Sequence, residues 1–372
     1  LYGEFLFVEP QTLDEVVLED PTDLQRYVHA HFSGFFAQRT LPYEQEMQEL
    51  VLGAVKPSIL PHQRESLEQE LSREDLAEAC MCMAKDKCPG LDGIPVEFFQ
   101  TYWEWAGESV YQVYLELLQS SQMDKILNTA CISLIPKVKQ PSTINDWRPI
   151  SLLSSVYKII TKALAEKLKP VLTSSISKVQ SGFVPGRNIL TNVAAAYEGL
   201  YWARRTGQGI AYLKLDFAKA YDSVRWEFLS AMMLALGCGP RFTETVMKMH
   251  RSAWATVVCQ DEPSAFFSLG RGVRQECSLA PFLFTIVAEA LSQLLLAAVE
   301  DGIVDGLQMQ DGSQQIINQF ADDTFLFLVA EERNLRNVKG LLDTFSLASG
   351  ILLNWSKCSA LWALSSPPPP CL

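Results

Sequence analysis

The sequence predicts an α+β fold in which antiparallel strands pack on helices, and three features carry that prediction. Most apolar residues recur at helical spacing; Leu67, Leu71, Leu76, Ala79, Cys80 and Met83 line one face with charges opposite. A smaller set alternates as strands do, and Ile210-Ala211-Tyr212-Leu213-Lys214-Leu215 delivers Asp216 at its end. Two more apolar runs, 315–318 and 325–329, flank Gln319-Phe320-Ala321-Asp322-Asp323-Thr324, the pattern of a hairpin with two carboxylates at its tip. At 372 residues, 48% hydrophobic and 20% charged, the chain is long enough for two or three domains and too apolar for a disordered or fibrous class.

Residues 1–61 are read as an acidic linker, with one short helix at 23–36 and breakers at Pro42, Pro57 and Pro61. A helix is expected over 66–84, a loop over Lys87-Cys88-Pro89-Gly90-Leu91-Asp92-Gly93, and an aromatic-rich helix over 95–118. Ala130-Cys131-Ile132-Ser133-Leu134-Ile135 reads as a strand stopped by Pro136. A basic amphipathic helix over 151–168 ends at Pro170, a turn-rich loop spans 182–186, and 188–203 is helical. The helix over 223–236 takes Asp222 as its N-cap and Gly237 as its C-cap. Residues 281–299 form a largely buried helix. Glu289 and Gln293 interrupt it, so there is no uncharged apolar run of about 18 residues and no membrane span is expected. Further on, Ser365-Ser366-Pro367-Pro368-Pro369-Pro370 cannot continue a fold. The start, Leu1-Tyr2-Gly3-Glu4, has neither an initiator Met nor a basic leader region, which predicts no secretory signal and a piece of a longer reading frame.

Charge is unevenly spread. The net is −12, but residues 1–80 hold 5 Lys and Arg against 16 Asp and Glu, whereas residues 131–225 hold 14 against 5, a net of +9. That middle stretch is basic enough to hold a phosphate backbone. Nine scattered Cys predict reduced thiols in an intracellular protein. Cys80, Cys82 and Cys88 have no neighbouring fourth ligand, and the four His form no His-x-x-x-His pair, so neither a zinc site nor a zinc hydrolase is expected.

Asp216 and the Asp322-Asp323 pair are the residues with chemistry to offer. Clustered carboxylates beside apolar strands are costly unless a cation neutralises them. Mg²⁺ suits such a set, because it takes oxygen ligands, keeps waters and shares its octahedron with substrate phosphates. Two such ions about 4 Å apart activate an attacking hydroxyl and stabilise a leaving pyrophosphate oxygen. By spacing alone the same pattern also fits a solvated acidic turn.

The neighbouring residues carry more. Residues 213–224 read Leu-Lys-Leu-Asp-Phe-Ala-Lys-Ala-Tyr-Asp-Ser-Val and 320–323 read Phe-Ala-Asp-Asp; between them lies Gly272-Val273-Arg274-Gln275-Glu276-Cys277-Ser278-Leu279-Ala280-Pro281. This ordered set resembles motifs A, C and B of reverse transcriptases, especially those of LINE-type (non-LTR) retrotransposons. Pro89-Gly90-Leu91-Asp92-Gly93-Ile94-Pro95 is similar to that group's extra N-terminal motif. Leu134-Ile135-Pro136-Lys137, Asp146-Trp147-Arg148-Pro149-Ile150-Ser151-Leu152-Leu153 and Gln180-Ser181-Gly182-Phe183-Val184-Pro185-Gly186-Arg187 look like its fingers motifs. Ser349-Gly350-Ile351-Leu352-Leu353-Asn354-Trp355-Ser356-Lys357 resembles motif D, so the match runs from about 62 to 362.

The resemblance implies a right-hand polymerase. Mostly helical fingers would span 62–205, and a palm with a ferredoxin-like antiparallel sheet 206–362, with a fingers-like helical insertion at about 238–268. A Pro-rich tail would fill 363–372 and the thumb would be largely absent. The implied reaction is RNA-directed DNA synthesis: a primer 3′-hydroxyl attacks the α-phosphate of a dNTP, with two Mg²⁺ ions (Mn²⁺ as substitute), an RNA template and a DNA primer. Asp216 and Asp322 would ligate metal with the Phe217 carbonyl, and Asp323 would support the metal site and primer end. Tyr221 falls where the family places the aromatic beneath the sugar, and Gln275 would touch the incoming nucleotide or template base. Arg148 and Arg187 would hold triphosphate or template, and Lys357 would donate a proton to the pyrophosphate. Without the resemblance, Tyr221 reads as a core residue and Arg148, Arg187 and Lys357 as surface ones. The family also implies a ribonucleoprotein of nucleus and cytoplasm, with no membrane partner; oligomeric state is not readable.

Motif B departs from the family's Arg-Gln-Gly-Cys-Pro-Leu-Ser-Pro: Glu276 stands for the Gly, Ser278 for the Pro and Ala280 for the Ser. Gly at such a turn serves positive φ or close backbone approach. Glu276 is therefore expected to bring about 1–2 kcal/mol of backbone strain, and an anion beside a triphosphate. The expectation is a truncated or degenerate polymerase; the alternative is a catalytically dead RNA- or DNA-binding remnant.

Overall fold

Asp20 accepts the backbone N–H groups of Thr22 and Asp23 and opens α1 (Pro21–Phe36), the first element of a computed structural model that describes residues 20–39, 43–259 and 262–363. The first 19 residues of the acidic segment, and the expected Pro-rich tail after Ala363, lie outside the described residues. Helices α2 (Glu44–Gly53), α3 (Pro61–Glu68), α4 (Arg73–Met81), α5 (Val96–Thr101) and α6 (Trp103–Gln119) lead to β1 (Thr129–Pro136) and β2 (Trp147–Leu152). Next come α7 (Ser155–Ser175), α8 (Ile189–Thr206), β3 (Ile210–Leu215), α9 (Ala220–Ser223), α10 (Trp226–Leu236) and α11 (Pro240–Arg251). Strands β4 (Trp254–Cys259), β5 (Glu262–Pro263) and β6 (Phe267–Ser268) precede α12 (Ala280–Glu300). The chain closes through β7 (Leu307–Gln308), β8 (Gln314–Gln315), β9 (Ile317–Phe320), β10 (Asp323–Val329), α13 (Glu332–Ser349) and β11 (Ser359–Ala363).

Two compact units are each drawn from three separate stretches and interleave along the chain. Unit 1 comprises Leu1–Arg39, Glu70–Leu164 and Thr245–Ala280; unit 2 comprises Thr40–Gln69, Ala165–Glu244 and Pro281–Leu372.

Unit 1 holds a mixed sheet ordered β2-β1-β4-β5, with β6 also on β4. β1 runs antiparallel to β2, with Cys131 opposite Leu152, and parallel to β4, with Ala130 opposite Ala255. Helix α1 packs on β4 and β6 and buries Leu24, Val28, Phe32 and Phe36. The insertion expected to be helical at 238–268 supplies α11 but also β4: Trp254-Ala255-Thr256-Val257-Val258-Cys259 favours a strand, and Ala255, Thr256 and Val257 are wholly buried in the sheet. The helix expected over 95–118 breaks at Tyr102, which ends α5 and begins α6.

Unit 2 holds an antiparallel sheet ordered β11-β3-β10-β9. In chain order these are its fourth, first, third and second strands, the arrangement of a βαββαβ unit. One face buries Leu215, Leu326, Leu328 and Ile317; α8 covers the other, where Ala203 packs with Ile210 and Phe327. Part of the expected linker is instead α2, because Val51 is wholly buried and the helix packs on α10 and α13. The helix expected over 66–84 is split, since Ser72 accepts the Asp75 N–H in a capping box that starts α4. Pro170 does not end α7, which continues with Val171 and Leu172 buried. Asp222 does not cap α10 either: Arg225 holds that position, and Asp222 lies buried within α9.

Among the described residues α12 is the one helix long and apolar enough to cross a membrane by length and composition, and 78% of its apolar window is buried inside the protein. The eight cysteines among the described residues are all free.

Candidate active site

The β3–β10 ladder pairs Leu215 with Thr324, so one step further Asp216 lies across from Asp323. Phe320 pairs with Asp323, leaving Ala321-Asp322 as a two-residue turn. Ala321 takes φ +56°, the left-handed value that mirror-image hairpin turns require. Register and turn together bring Asp216, Asp322 and Asp323 to one end of the sheet. Lys214 Nζ stands 3.6 Å from Asp323 Oδ1.

Asp322 is exposed by area, yet protein crowds its carboxyl. That desolvation, then the charges of Asp323 and Asp216, push its pKa above the ordinary carboxylate value, against the pull of its own backbone N–H. A freely solvated acidic turn would show no such rise. Nearby, the Tyr221 ring stacks on Phe284 at 4.4 Å and 18°. Burial, and then the Asp322 charge, push its phenol pKa up.

Two segments brace this end of the sheet. On one, Phe217 bridges antiparallel to Leu353, the Asn354 N–H donates to the Asp216 carbonyl at 2.8 Å, and Cys358 Sγ accepts from the Asp216 N–H at 3.4 Å. Lys357 is exposed in that segment and carries no side-chain partner among the described residues. On the other, Gln180 Oε1 accepts from the N–H groups of Ala321 (2.9 Å) and Gly182 (2.8 Å), while its Nε2 donates to the Ala321 carbonyl at 3.2 Å. Gly182 approaches so closely that a Cβ there would meet the Ala321 nitrogen at 2.2 Å. Sequence reasoning drew Arg187 from this stretch and missed Gln180 and Gly182.

Arg187 is engaged by the backbone. Its guanidinium donates to the carbonyls of Thr173, Ile176, Ser177 and Gln180 at 2.5–3.2 Å, closing the C-terminal end of α7. Donors so committed make it a clamp on the backbone.

Unit 1 contains the remaining expected site residues. Arg148 is exposed on β2 without a side-chain partner among the described residues. Gln275 and Glu276 are the central pair of a turn in which the Cys277 N–H donates to the Arg274 carbonyl at 3.3 Å. Glu276 has φ +69° and Gln275 does not share the positive sign, the arrangement of a type II turn, whose third position favours Gly. Arg274 is buried beneath it, donating to the carbonyls of Asn128 and Met249 at 3.1 Å and to the Asn128 side chain, 4.4 Å from the Tyr157 ring centroid. Lys158 donates to the Cys88 carbonyl at 2.9 Å; burial lowers its pKa, and Glu276 is the foremost charge opposing that shift.

No group of three or more His, Cys, Asp or Glu among the described residues is arranged to hold a metal ion. The acidic pair fits a hard cation on another ground. The raised pKa of Asp322 marks negative charge that the protein does not neutralise, and two carboxylates leave coordination sites for waters and phosphate oxygens.

A family model described as reverse transcriptase (RNA-dependent DNA polymerase) matches residues 135–366. An uncharacterized 149 kDa protein of transposon TX1 from Xenopus laevis is 33% identical over 350 residues, which cover 94% of this chain and 26% of that protein. The retrovirus-related Pol polyprotein from the type-2 retrotransposable element R2DM of Drosophila melanogaster is 25% identical over 317 residues, 84% of this chain and 28% of its own. A putative COX1/OXI3 intron 2 protein of Saccharomyces cerevisiae is 20% identical over 215 residues, 57% of this chain and 24% of its own. The chain thus spans about a quarter of the length of these relatives. Matched by that model over well more than half its length, and similar to transposon TX1 and R2 proteins, the chain belongs to the reverse transcriptase family, on its non-LTR retrotransposon side.

Proposed function

We propose that this chain is a polymerase segment that copies RNA into DNA, transferring dNMP from a dNTP to a primer 3′-hydroxyl with release of pyrophosphate. The observation that carries the reading is the cluster of Asp216, Asp322 and Asp323 at one sheet end, with the Asp322 pKa raised by crowding and by the other two. Unit 2, with its βαββαβ sheet, is the palm, and unit 1 supplies fingers built on the β1–β2–β4 sheet. Asp216 and Asp322, with the Phe217 carbonyl, would hold Mg²⁺ or Mn²⁺, which when bound neutralises the carboxylates and the charge gathering on the transferred phosphoryl group.

The chain's own groups have separable tasks. Tyr221, fixed against Phe284, offers a flat floor to the sugar and leaves no space for a 2′-hydroxyl. Arg148 brings an uncommitted guanidinium to triphosphate or template, Gln275 an amide to the nucleotide, and Lys357 a proton to the departing pyrophosphate. Asp323, paired with Lys214, supports the primer end. The partners are an RNA template, a DNA primer and dNTPs, held in part by the basic stretch 131–225, in a ribonucleoprotein of nucleus and cytoplasm.

Primer extension on an RNA template with Mg²⁺ and dNTPs tests this, with Asp322→Asn beside the unaltered chain. DNA product that disappears in the variant supports the reading; no product from protein that melts cooperatively refutes it. A second reading, a nucleic-acid-binding remnant without turnover, draws on Glu276 at φ +69°. Salt-sensitive binding without extension selects it.

A further inference from the structure

Helix α8 covers its sheet face unevenly. Near its C-terminal end, Ala203 packs against Ile210 and Phe327. Its N-terminal half stands off and leaves a cavity of about 270 Å³ between Ile189, Val193, Ala196 and Leu200 on the helix and Tyr212, Phe320 and Phe325 on the sheet. Tyr212 and Phe325 lie parallel, ring centroids 5.6 Å apart at 7°. The rim carries Tyr197 and the Lys214–Asp323 pair.

One polar group in this apolar lining lacks a partner. Asn318 is 7% exposed, and its Nδ2 has no hydrogen bond. The other lining amide, Asn192, is engaged, donating to the Gln319 carbonyl at 2.6 Å. Buried amide donors are almost always satisfied, so Asn318 Nδ2 marks where an acceptor is missing. An apolar wall with one fixed donor is the make-up of a small-molecule pocket, here at the small end of the usual size range.

We propose that this cavity binds a planar heteroaromatic ring of nucleobase size, with a ring or exocyclic acceptor on Asn318 Nδ2 and its faces against the aromatic lining. An aliphatic occupant would leave the amide unpaired, and an ionised one would meet apolar walls. The same ring chemistry has two sources: a free base or nucleoside, or an unpaired base at the end of a strand held near Asp323. The second source rests on the proposed polymerase function; the first does not.

Titration of the whole chain with 2-aminopurine riboside, whose fluorescence is quenched by aromatic stacking, tests the free source. An oligodeoxynucleotide with an unpaired 3′-terminal 2-aminopurine tests the strand source. Asn318→Leu removes the donor, and with it an unsatisfied buried amide, so the fold should tolerate it; Ala196→Phe fills the cavity from the helix side. Saturable quenching by the riboside, weakened at least tenfold in both variants, supports the free source. Quenching confined to the oligonucleotide with the same sensitivity supports the strand source. Quenching that neither variant alters, or none by either probe with protein that melts cooperatively, overturns the proposal. Asp322→Asn should abolish extension and leave riboside quenching intact, which separates failure of this site from failure of the polymerase reading.

Discussion

Gly in place of Glu276 should be more stable than Ala in place of Glu276, although it adds backbone freedom. Glu276 holds φ +69° at the third position of the Arg274–Cys277 turn. A side chain with a Cβ loses about 1–2 kcal/mol in that conformation. The greater entropy of an unfolded Gly returns roughly 0.5–1 kcal/mol of that gain. The carboxylate is exposed, and its attraction for Lys158 contributes at most about 1 kcal/mol. Glu276→Ala isolates the backbone effect, because it gives up the same attraction while keeping the Cβ. The Gly variant should therefore exceed the Ala variant by about 0.5–1 kcal/mol, which raises the melting temperature by roughly 2 °C for a unit of this size. Thermal melts of the two side by side decide it; an Ala variant as stable as the Gly variant would show that the turn is unstrained. Extension assays then separate strain from charge. Glu276→Gln keeps the backbone and loses the anion, so the expected order of activity is Gly above Gln above Glu. Equal activity of the unaltered and Gly forms would refute the reasoning that ties this turn to function.

Other outcomes follow from single residues. His250 is buried, and its pKa falls from 6.5 to about 4, through burial first and Arg274 as well. Between those values the unfolded chain binds a proton that the folded chain refuses, so stability should fall with falling pH, by about 2 kcal/mol from pH 7 to 5; melts at those two pH values should show this, and His250→Phe should flatten the difference. Asp322 has a raised pKa, so its contribution is lost as pH rises. At pH 7 without divalent cation, Asp322→Asn should melt higher than the unaltered chain, and added Mg²⁺ should raise only the latter. Arg187→Met should cost about 3 kcal/mol in urea unfolding, since four carbonyls lose a charged donor; unchanged stability with lost extension would return Arg187 to a substrate role. Tyr221→Val should admit ribonucleotides in a dNTP/rNTP competition assay, and unaltered selectivity would remove Tyr221 from the sugar site.

The residues that could be read from sequence are those whose signal is local. Ile210–Leu215 alternates, and Asp216 follows it by one residue, so strand and carboxylate come together. The hairpin was legible for the same reason, because a two-residue turn fixes its own register. What stayed hidden depends on partners far along the chain. β4 has strand-favouring residues of its own, but its parallel neighbour β1 lies more than a hundred residues earlier, and nothing within 238–268 announces that neighbour. α2 lies among breakers and acids, and only packing on α10 and α13 repays its formation. Arg187 and Arg148 look alike as isolated cations; the Thr173 carbonyl in α7 and those of Ile176, Ser177 and Gln180 after it claim one and leave the other open. Gln180 was missed because its partners are backbone groups of Ala321, which carry no mark in a sequence.

The two costly features of this protein can be told apart by the sign of their effects. Burial of its carboxyl, and then the charges of Asp323 and Asp216, raise the pKa of Asp322 and so weaken the cation-free fold at neutral pH. Neutralising Asp322 should therefore stabilise the protein and abolish polymerisation, as expected where strain is retained for a ligand that relieves it. Glu276 is strained in the same currency, but Lys158 attracts its charge, and the turn closed by the Cys277 N–H on the Arg274 carbonyl needs a positive φ that Gly supplies without strain. Replacing Glu276 by Gly should be more stabilising than replacing it by Ala, and should increase polymerisation. Relief of strain in both, with opposite signs in activity, distinguishes a site kept under tension by its chemistry from a turn that has lost the residue its geometry requires. If both substitutions raise stability and neither changes extension, the carboxylate cluster is a remnant as well, and nucleic-acid binding is the function left to the chain.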